Sequence, residues 1–247
     1  YPLVIDPLLT ATADTLLESN QANSLFGGAV AGAGDVNGDG YADVIIGAEE
    51  YDNGQLNEGA AFLFLGSATG VANGNPGTAA TQLESNQSGA LFGTHVASAG
   101  DVNGDGYADV IVGAQEFDNG QSNEGAAWIF LGSAAGIPNG NPSTAATQLE
   151  SNQAGGLFGG AVAAAGDVNG DGYADVIVGA EEYNITFSND GGAWIFLGSA
   201  AGIANGNPGT AATQIASNQL GALLGGKVAV AGDVNGDGYA DVIVGAE

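Results

Sequence analysis

One nine-residue segment, Asp-Val-Asn-Gly-Asp-Gly-Tyr-Ala-Asp, occurs four times without a single change, at 35–43, 101–109, 167–175 and 233–241, always 66 residues apart. Self-similarity at a fixed period marks a tandem array of supersecondary units, each of which buries its apolar face against a neighbour. The chain must therefore be read as one unit used four times.

The chemistry of the segment is legible. Asp35, Asn37, Asp39 and Asp43 put three carboxylates and one amide at odd positions of a nine-residue loop. Gly40 stands where the chain must turn sharply. Oxygen-only donors on a tight loop suit a hard cation, and a flexible, oxygen-rich shell favours Ca²⁺ over Mg²⁺. The expected shell is Asp35, Asn37, Asp39, the backbone carbonyl of Tyr41, and Asp43, completed by water. An EF-hand is excluded, because its loop needs a bidentate Glu at position twelve and helices on both sides. Position twelve here is Ile46, Val112, Val178 or Val244. The Val44–Ile46 run that follows is β-branched and bounded by Gly47, which reads as a buried strand. The loop thus joins two strands.

The remainder of each unit supplies more strands. Leu17–Gln21 recurs as Leu83–Gln87, Leu149–Gln153 and, degraded, Ile215–Gln219. Leu25–Ala31 returns at 91–97, 157–163 and 223–229, its Phe and Val expected to point inward. An aromatic strand at 59–66 returns around Trp128 and Trp194. Four short strands per unit, separated by turn signals, predict an all-β fold, a β-propeller of tandem four-stranded blades. A β-helix has shorter repeats without long polar loops.

Phe26-Gly27, Ala33-Gly34-Asp35, the Asp-x-Asn-x-Asp-Gly-x-x-Asp loop and Ile46-Gly47-Ala48 together resemble the FG-GAP repeat of integrin α-subunit β-propellers and their bacterial relatives. The resemblance runs from about residue 13 to the end. It implies a Ca²⁺ loop between the first and second strands of each blade, on the face opposite the main ligand-binding loops. It implies about one Ca²⁺ per repeat, four in total. The ligands carried over are Asp35, Asn37, Asp39, Tyr41 and Asp43; Asp101, Asn103, Asp105, Tyr107 and Asp109; Asp167, Asn169, Asp171, Tyr173 and Asp175; Asp233, Asn235, Asp237, Tyr239 and Asp241. In each set the tyrosine contributes its backbone carbonyl. Asn at the third position departs from the family's commoner Asp and lowers the ligand charge.

The domain reading is an N-terminal segment, 1–12, followed by the array, 13–247. The segment is a closing strand or the end of a preceding domain. The fourth unit stops after its second strand. Tyr1–Ile5 and Thr15–Asn20 are candidates to complete it as a four-bladed ring; the alternatives are a larger propeller or assembly with copies of the chain. Assembly makes a homo-oligomer or filament the rival to a ligand-binding role.

Charge narrows the partners. Twenty-eight acids face one Lys and no Arg, a net charge of −27. Such a field repels phosphate backbones and anionic lipid, so no nucleic acid partner is expected. No apolar run reaches the length of a membrane span, and no membrane insertion is expected. Ca²⁺ loops of modest affinity fill where Ca²⁺ is abundant, which points to a secreted or cell-surface protein. No enzyme is expected. The chain has no Cys, and no Ser has a His built into the repeat. The only histidine, His95, shares a column with Ala29, Ala161 and Lys227 and reads as a solvent-facing strand site. Glu49-Glu50 and Glu181-Glu182 read as solvated loops, although paired acids keep an accessory role in a secreted hydrolase as a second alternative. Tyr51, Phe117 and Tyr183 share a column and are expected either to contact a sugar or protein ligand or to pack on a neighbouring blade. Asn86 and Asn184 head glycosylation sequons. The function that follows is adhesion or binding of a protein or carbohydrate ligand.

Overall fold

The computed structural model describes residues 15–246. Its first blade is an antiparallel meander of β1 (Phe26–Gly34), β2 (Asp43–Ala48), β3 (Ala60–Phe64) and β4 (Thr81–Glu84). The second blade is β5 (His95–Gly100), β6 (Asp109–Ala114), β7 (Ala126–Phe130) and β8 (Thr147–Glu150). The third is β9 (Ala161–Gly166), β10 (Asp175–Ala180), β11 (Gly192–Phe196) and β12 (Thr213–Ala216). A two-stranded sheet, β13 (Lys227–Gly232) and β14 (Asp241–Gly245), follows. The fold is all-β, a set of propeller blades built from the expected unit.

The inner strands pack in succession, β1 on β5, β5 on β9 and β9 on β13. The core therefore lies between blades. Ala33, Val36 and Ile45 of the first blade share one cluster with Phe92, Val96, Val110 and Trp128 of the second. The same layer recurs between the second and third blades, from Val102 and Ile111 to Phe158, Val176 and Trp194. Close approach sets residue choice here: a Cβ on Gly47 would collide with the carbonyl oxygen of Gly93 in the next blade, and the same holds for Gly113 against Gly159. The leucine preceding each Phe-Gly is held at positive φ, 49–55° in Leu25, Leu91, Leu157 and Leu223. That conformation is strained for Leu, and its fourfold recurrence shows that the neighbouring Phe and Gly dictate it.

The inward Phe is confirmed: Phe92 and Phe158 are fully buried. The Val expectation needs correction for the first unit, where Val30 is 68% exposed while Val96 is 7% exposed. Val96 is covered by the blade before it, and no earlier blade lies among the described residues. Residues 15–18 take the position of an outer fourth strand, as expected. Leu17 bridges Gly74 just as Leu83 bridges Gly140, and Thr15 Oγ1 donates to the Val71 carbonyl. Tyr1–Ile5, the other candidate closing strand, lies outside the described residues.

Candidate metal centre

Each nine-residue loop links the inner strand of a blade to its second strand. In the first loop the N–H groups of Gly38 (2.7 Å) and Asp39 (3.1 Å) donate to Asp35 Oδ1, and that of Gly40 (2.8 Å) to Oδ2. Asn37 Oδ1 accepts from Asp39 N, and Asp39 Oδ1 from Tyr41 N. Asp43 is fully buried, its Oδ2 taking the Val36 N–H and its Oδ1 the Gly66 N–H. Local sequence explains this winding, because Asp and Asn bond their own backbone two to five residues on, and Gly38 and Gly40 sit at φ +71° and +90°. All twenty residues of the expected ligand sets lie in such loops, and the loops at Asp101, Asp167 and Asp233 repeat the pattern bond for bond around their first aspartate.

The donors are oxygen throughout, the chemistry a hard cation requires, and the residues fit Ca²⁺ in kind. The three carboxylates of a loop do not converge into a formed cage among the described residues, since each is turned toward backbone or side-chain N–H groups. Every carboxylate oxygen retains a lone pair beyond the bond it accepts. The two ends of the loop differ electrostatically. The Gly238 N–H, aided by those of Gly236 and Asp237 against slight desolvation, holds Asp233 below the usual carboxylate range. Burial pushes Asp109 up to about 6, despite the N–H groups of Gly132 and Val102. A neighbouring divalent cation reverses that logic and favours the ionised form.

Consecutive loops touch. A Cβ on Gly38 would lie 2.6 Å from Cε1 of Tyr107, the tyrosine of the next loop. Gly104 meets Tyr173 and Gly170 meets Tyr239 at 2.7 Å each. The Asp35 carbonyl accepts from Ala108 N at 2.9 Å, and the Val36 carbonyl from Ser133 N at 3.1 Å. Nothing in the nonapeptide alone signals these contacts. They follow only from stacking identical loops at blade spacing.

The opposite ends of the strands carry the β2–β3 loops and the links between blades, because neighbouring strands alternate in direction. There Tyr51, Phe117 and Tyr183 meet neither a neighbouring blade nor open solvent. They stand edge-on to Phe62, Trp128 and Trp194 of their own blades at 5.1, 4.8 and 4.9 Å between centroids. A second set of acids escaped sequence reasoning. Glu58, Glu124 and Asp190 are buried and close the β2–β3 loops by accepting backbone N–H groups, as Glu58 does from Asn53 and Gln55. Their column, always acidic and always before Gly, was the available signal. His95 is partly buried, not solvent-facing, and burial, with Lys227 nearby, lowers its pKa to about 4. Glu49 receives a hydrogen bond from Thr94 Oγ1 at 2.6 Å, so it is not a freely solvated acid.

A family model described as the FG-GAP repeat matches residues 26–64, 92–130, 158–196 and 224–247. Similar proteins include integrin alpha-4 of Xenopus laevis, 35% identical over 165 residues, covering 64% of this chain and 14% of that protein. Integrin alpha-IIb of Mus musculus is 34% identical over 172 residues, 67% of this chain and 16% of its own length. Integrin alpha-PS3 of Drosophila melanogaster is 32% identical over 169 residues, 67% and 14% respectively. The chain thus spans about one seventh of the relatives it matches. The repeated loop, the blades built around it and the four matched segments make this chain a member of the FG-GAP repeat family, with an integrin-like β-propeller fold.

Proposed function

We propose that the chain is a calcium-binding, extracellular adhesion or ligand-binding module, non-catalytic, with one Ca²⁺ in each loop. The ligands would be Asp35, Asn37, Asp39, the Tyr41 carbonyl and Asp43, and their counterparts in the other three loops. Bound there, Ca²⁺ supplies the positive charge that keeps three mutually repelling carboxylates in nine residues. The observation that carries this reading is the identity of four all-oxygen loops in a chain whose surroundings vary. The ions would brace one end of the blades, leaving the β2–β3 loops at the other end to meet a protein or carbohydrate. The third of these differs most from its fellows, Asn184-Ile185-Thr186-Phe187 replacing the Asp-Asn-Gly-Gln of the first two, and it exposes Phe187. No helix among the described residues is long and apolar enough to cross a membrane.

Native mass spectrometry in Ca²⁺ buffer and after chelation tests the metal. Four ions per chain are expected, and a metal-free chain overturns the reading. Capture of protein ligands and glycan arrays, each with and without Ca²⁺, test the binding role.

A second reading, self-association into an oligomer or filament, is favoured by one observation. Ile243 is 61% exposed, whereas its counterparts Ile45, Ile111 and Ile177 are fully buried by the following blade. A strictly monomeric species by light scattering at high concentration in Ca²⁺ would sink it.

A further inference from the structure

We infer that the tyrosine of each loop is a positioning residue for the cation site of the preceding blade, so that occupancy of neighbouring sites is coupled and the four sites divide into three tight and one weak. This rests on the calcium reading above and extends it from four equivalent ions to an ordered set.

Four identical nonapeptides have equal intrinsic affinity, so any difference must come from what touches them. The first loop is held from outside by the Tyr107 ring over Gly38, by Ala108 N on the Asp35 carbonyl and by Ser133 N on the Val36 carbonyl. The second is held in the same three ways, by Tyr173, Ala174 and Ser199. The third retains two of them, Tyr239 over Gly170 and Ala240 N on the Asp167 carbonyl. A Cβ on Gly236 of the fourth loop would meet nothing within 4 Å. The last aspartate follows the same gradient. Asp43, Asp109 and Asp175 are fully buried and each accepts two backbone N–H groups. Asp241 is only partly buried and accepts one, from Val234.

A loop already held in its wound form loses less conformational freedom when a cation arrives, and so binds it more tightly. The coupling has a direction of transmission. Tyr107 would give its carbonyl to the second ion, which fixes the backbone that carries its ring, and the ring lies on Gly38 between the donors Asn37 and Asp39 of the first loop. Loading the second site therefore prepares the first, and linkage makes the effect reciprocal.

Calorimetric titration of the decalcified chain with CaCl₂ is the test, with ions per chain counted in parallel by native mass spectrometry. The expected isotherm shows three tight sites filling cooperatively and a fourth roughly tenfold weaker, within the usual range of coupling. Asp233→Ala should delete the weak phase alone, and Asp35→Ala should delete one tight site. Tyr107→Ala should turn the 3:1 division into 2:2, and Tyr107→Phe, which keeps the ring, should restore 3:1. Four equal, independent sites in the unaltered chain overturn the inference while leaving the calcium reading intact, as does a weak phase that survives Asp233→Ala. If Tyr107→Ala does not fold, the aspartate variants decide the assignment on their own. Absence of any Ca²⁺ binding overturns both.

Discussion

Phe117 stands edge-on to Trp128, ring centroids 4.8 Å apart and planes at 82°, so the loop after the second strand is pinned to the aromatic strand of its own blade. Phe117 is nearly buried and Trp128 wholly so. Phe117→Ala is expected to destabilise the chain by about 3 kcal/mol, the usual scale for emptying a buried aromatic site. Urea denaturation followed by tryptophan fluorescence measures it, and a change under about 0.5 kcal/mol, the scale of a neutral surface substitution, would show that the loop is held by Glu124 alone.

Removal of Ca²⁺ is expected to lower the melting temperature, because the ion binds the folded loop and not the unfolded chain. Each site held at a hundredfold excess over its Kd contributes about 2.7 kcal/mol. Scanning calorimetry with and without chelator should show a large shift that shrinks as loops are disabled. Asp39→Ala should loosen its own loop and its neighbour while leaving the third blade intact, which hydrogen exchange resolves blade by blade.

Gly113→Ala would drive a methyl group into the carbonyl oxygen of Gly159 across the blade interface. A loss of about 1–3 kcal/mol is expected, typical of overpacking where backbone cannot retreat. Gly32→Ala is the contrasting case. Its Cβ would meet nothing within 4 Å and its backbone is not in the left-handed region. That change should be neutral or raise stability by up to about 1 kcal/mol through the unfolded chain. Thermal melts of the two variants side by side check the pair.

His95 gives the pH dependence a defined sign. Burial, and secondarily Lys227, lowers its folded pKa from the model-peptide 6.5 to about 4, so the folded chain holds the ring neutral. Above pH 6.5 both states are neutral and nothing is lost. As pH falls from 6.5 toward 4 the unfolded state takes up the proton first, and stability drops by on the order of 1–3 kcal/mol. His95→Ala, the residue found in the same column at Ala29 and Ala161, should remove this component. The variant should therefore gain on the unaltered chain as acid is added, measured as the difference between their unfolding midpoints at each pH.

Much of this was legible in the sequence, because a strand-forming run and a nine-residue oxygen-donor loop are local properties. Val44–Ile46 could only be a buried strand, and Asp35 through Asp43 could only wind as a loop. What escaped were properties of juxtaposition. Tyr51, Phe117 and Tyr183 look like a display surface when only their column is seen. The Trp they cover lies 11 residues further on in the second and third blades and pairs with them only once β2 and β3 are hydrogen-bonded. Tyr107 reads as a donor of one carbonyl until the preceding loop is stacked against its ring. Val30 and Val96 stand in equivalent settings as sequence, and differ only because one has a blade in front of it.

The hydrophobic layers lie between blades, which puts the repeating unit of the sequence out of phase with the unit that excludes water. A 66-residue copy carries the back half of one layer and the front half of the next. Insertion or loss of one whole copy therefore joins two halves that already match, as Ile111 would meet the neighbours of Ile45 or Ile177. Such a chain can lengthen or shorten by recombination between its own copies without inventing a new interface. The near-identity of the copies is what makes that exchange both easy to occur and structurally silent.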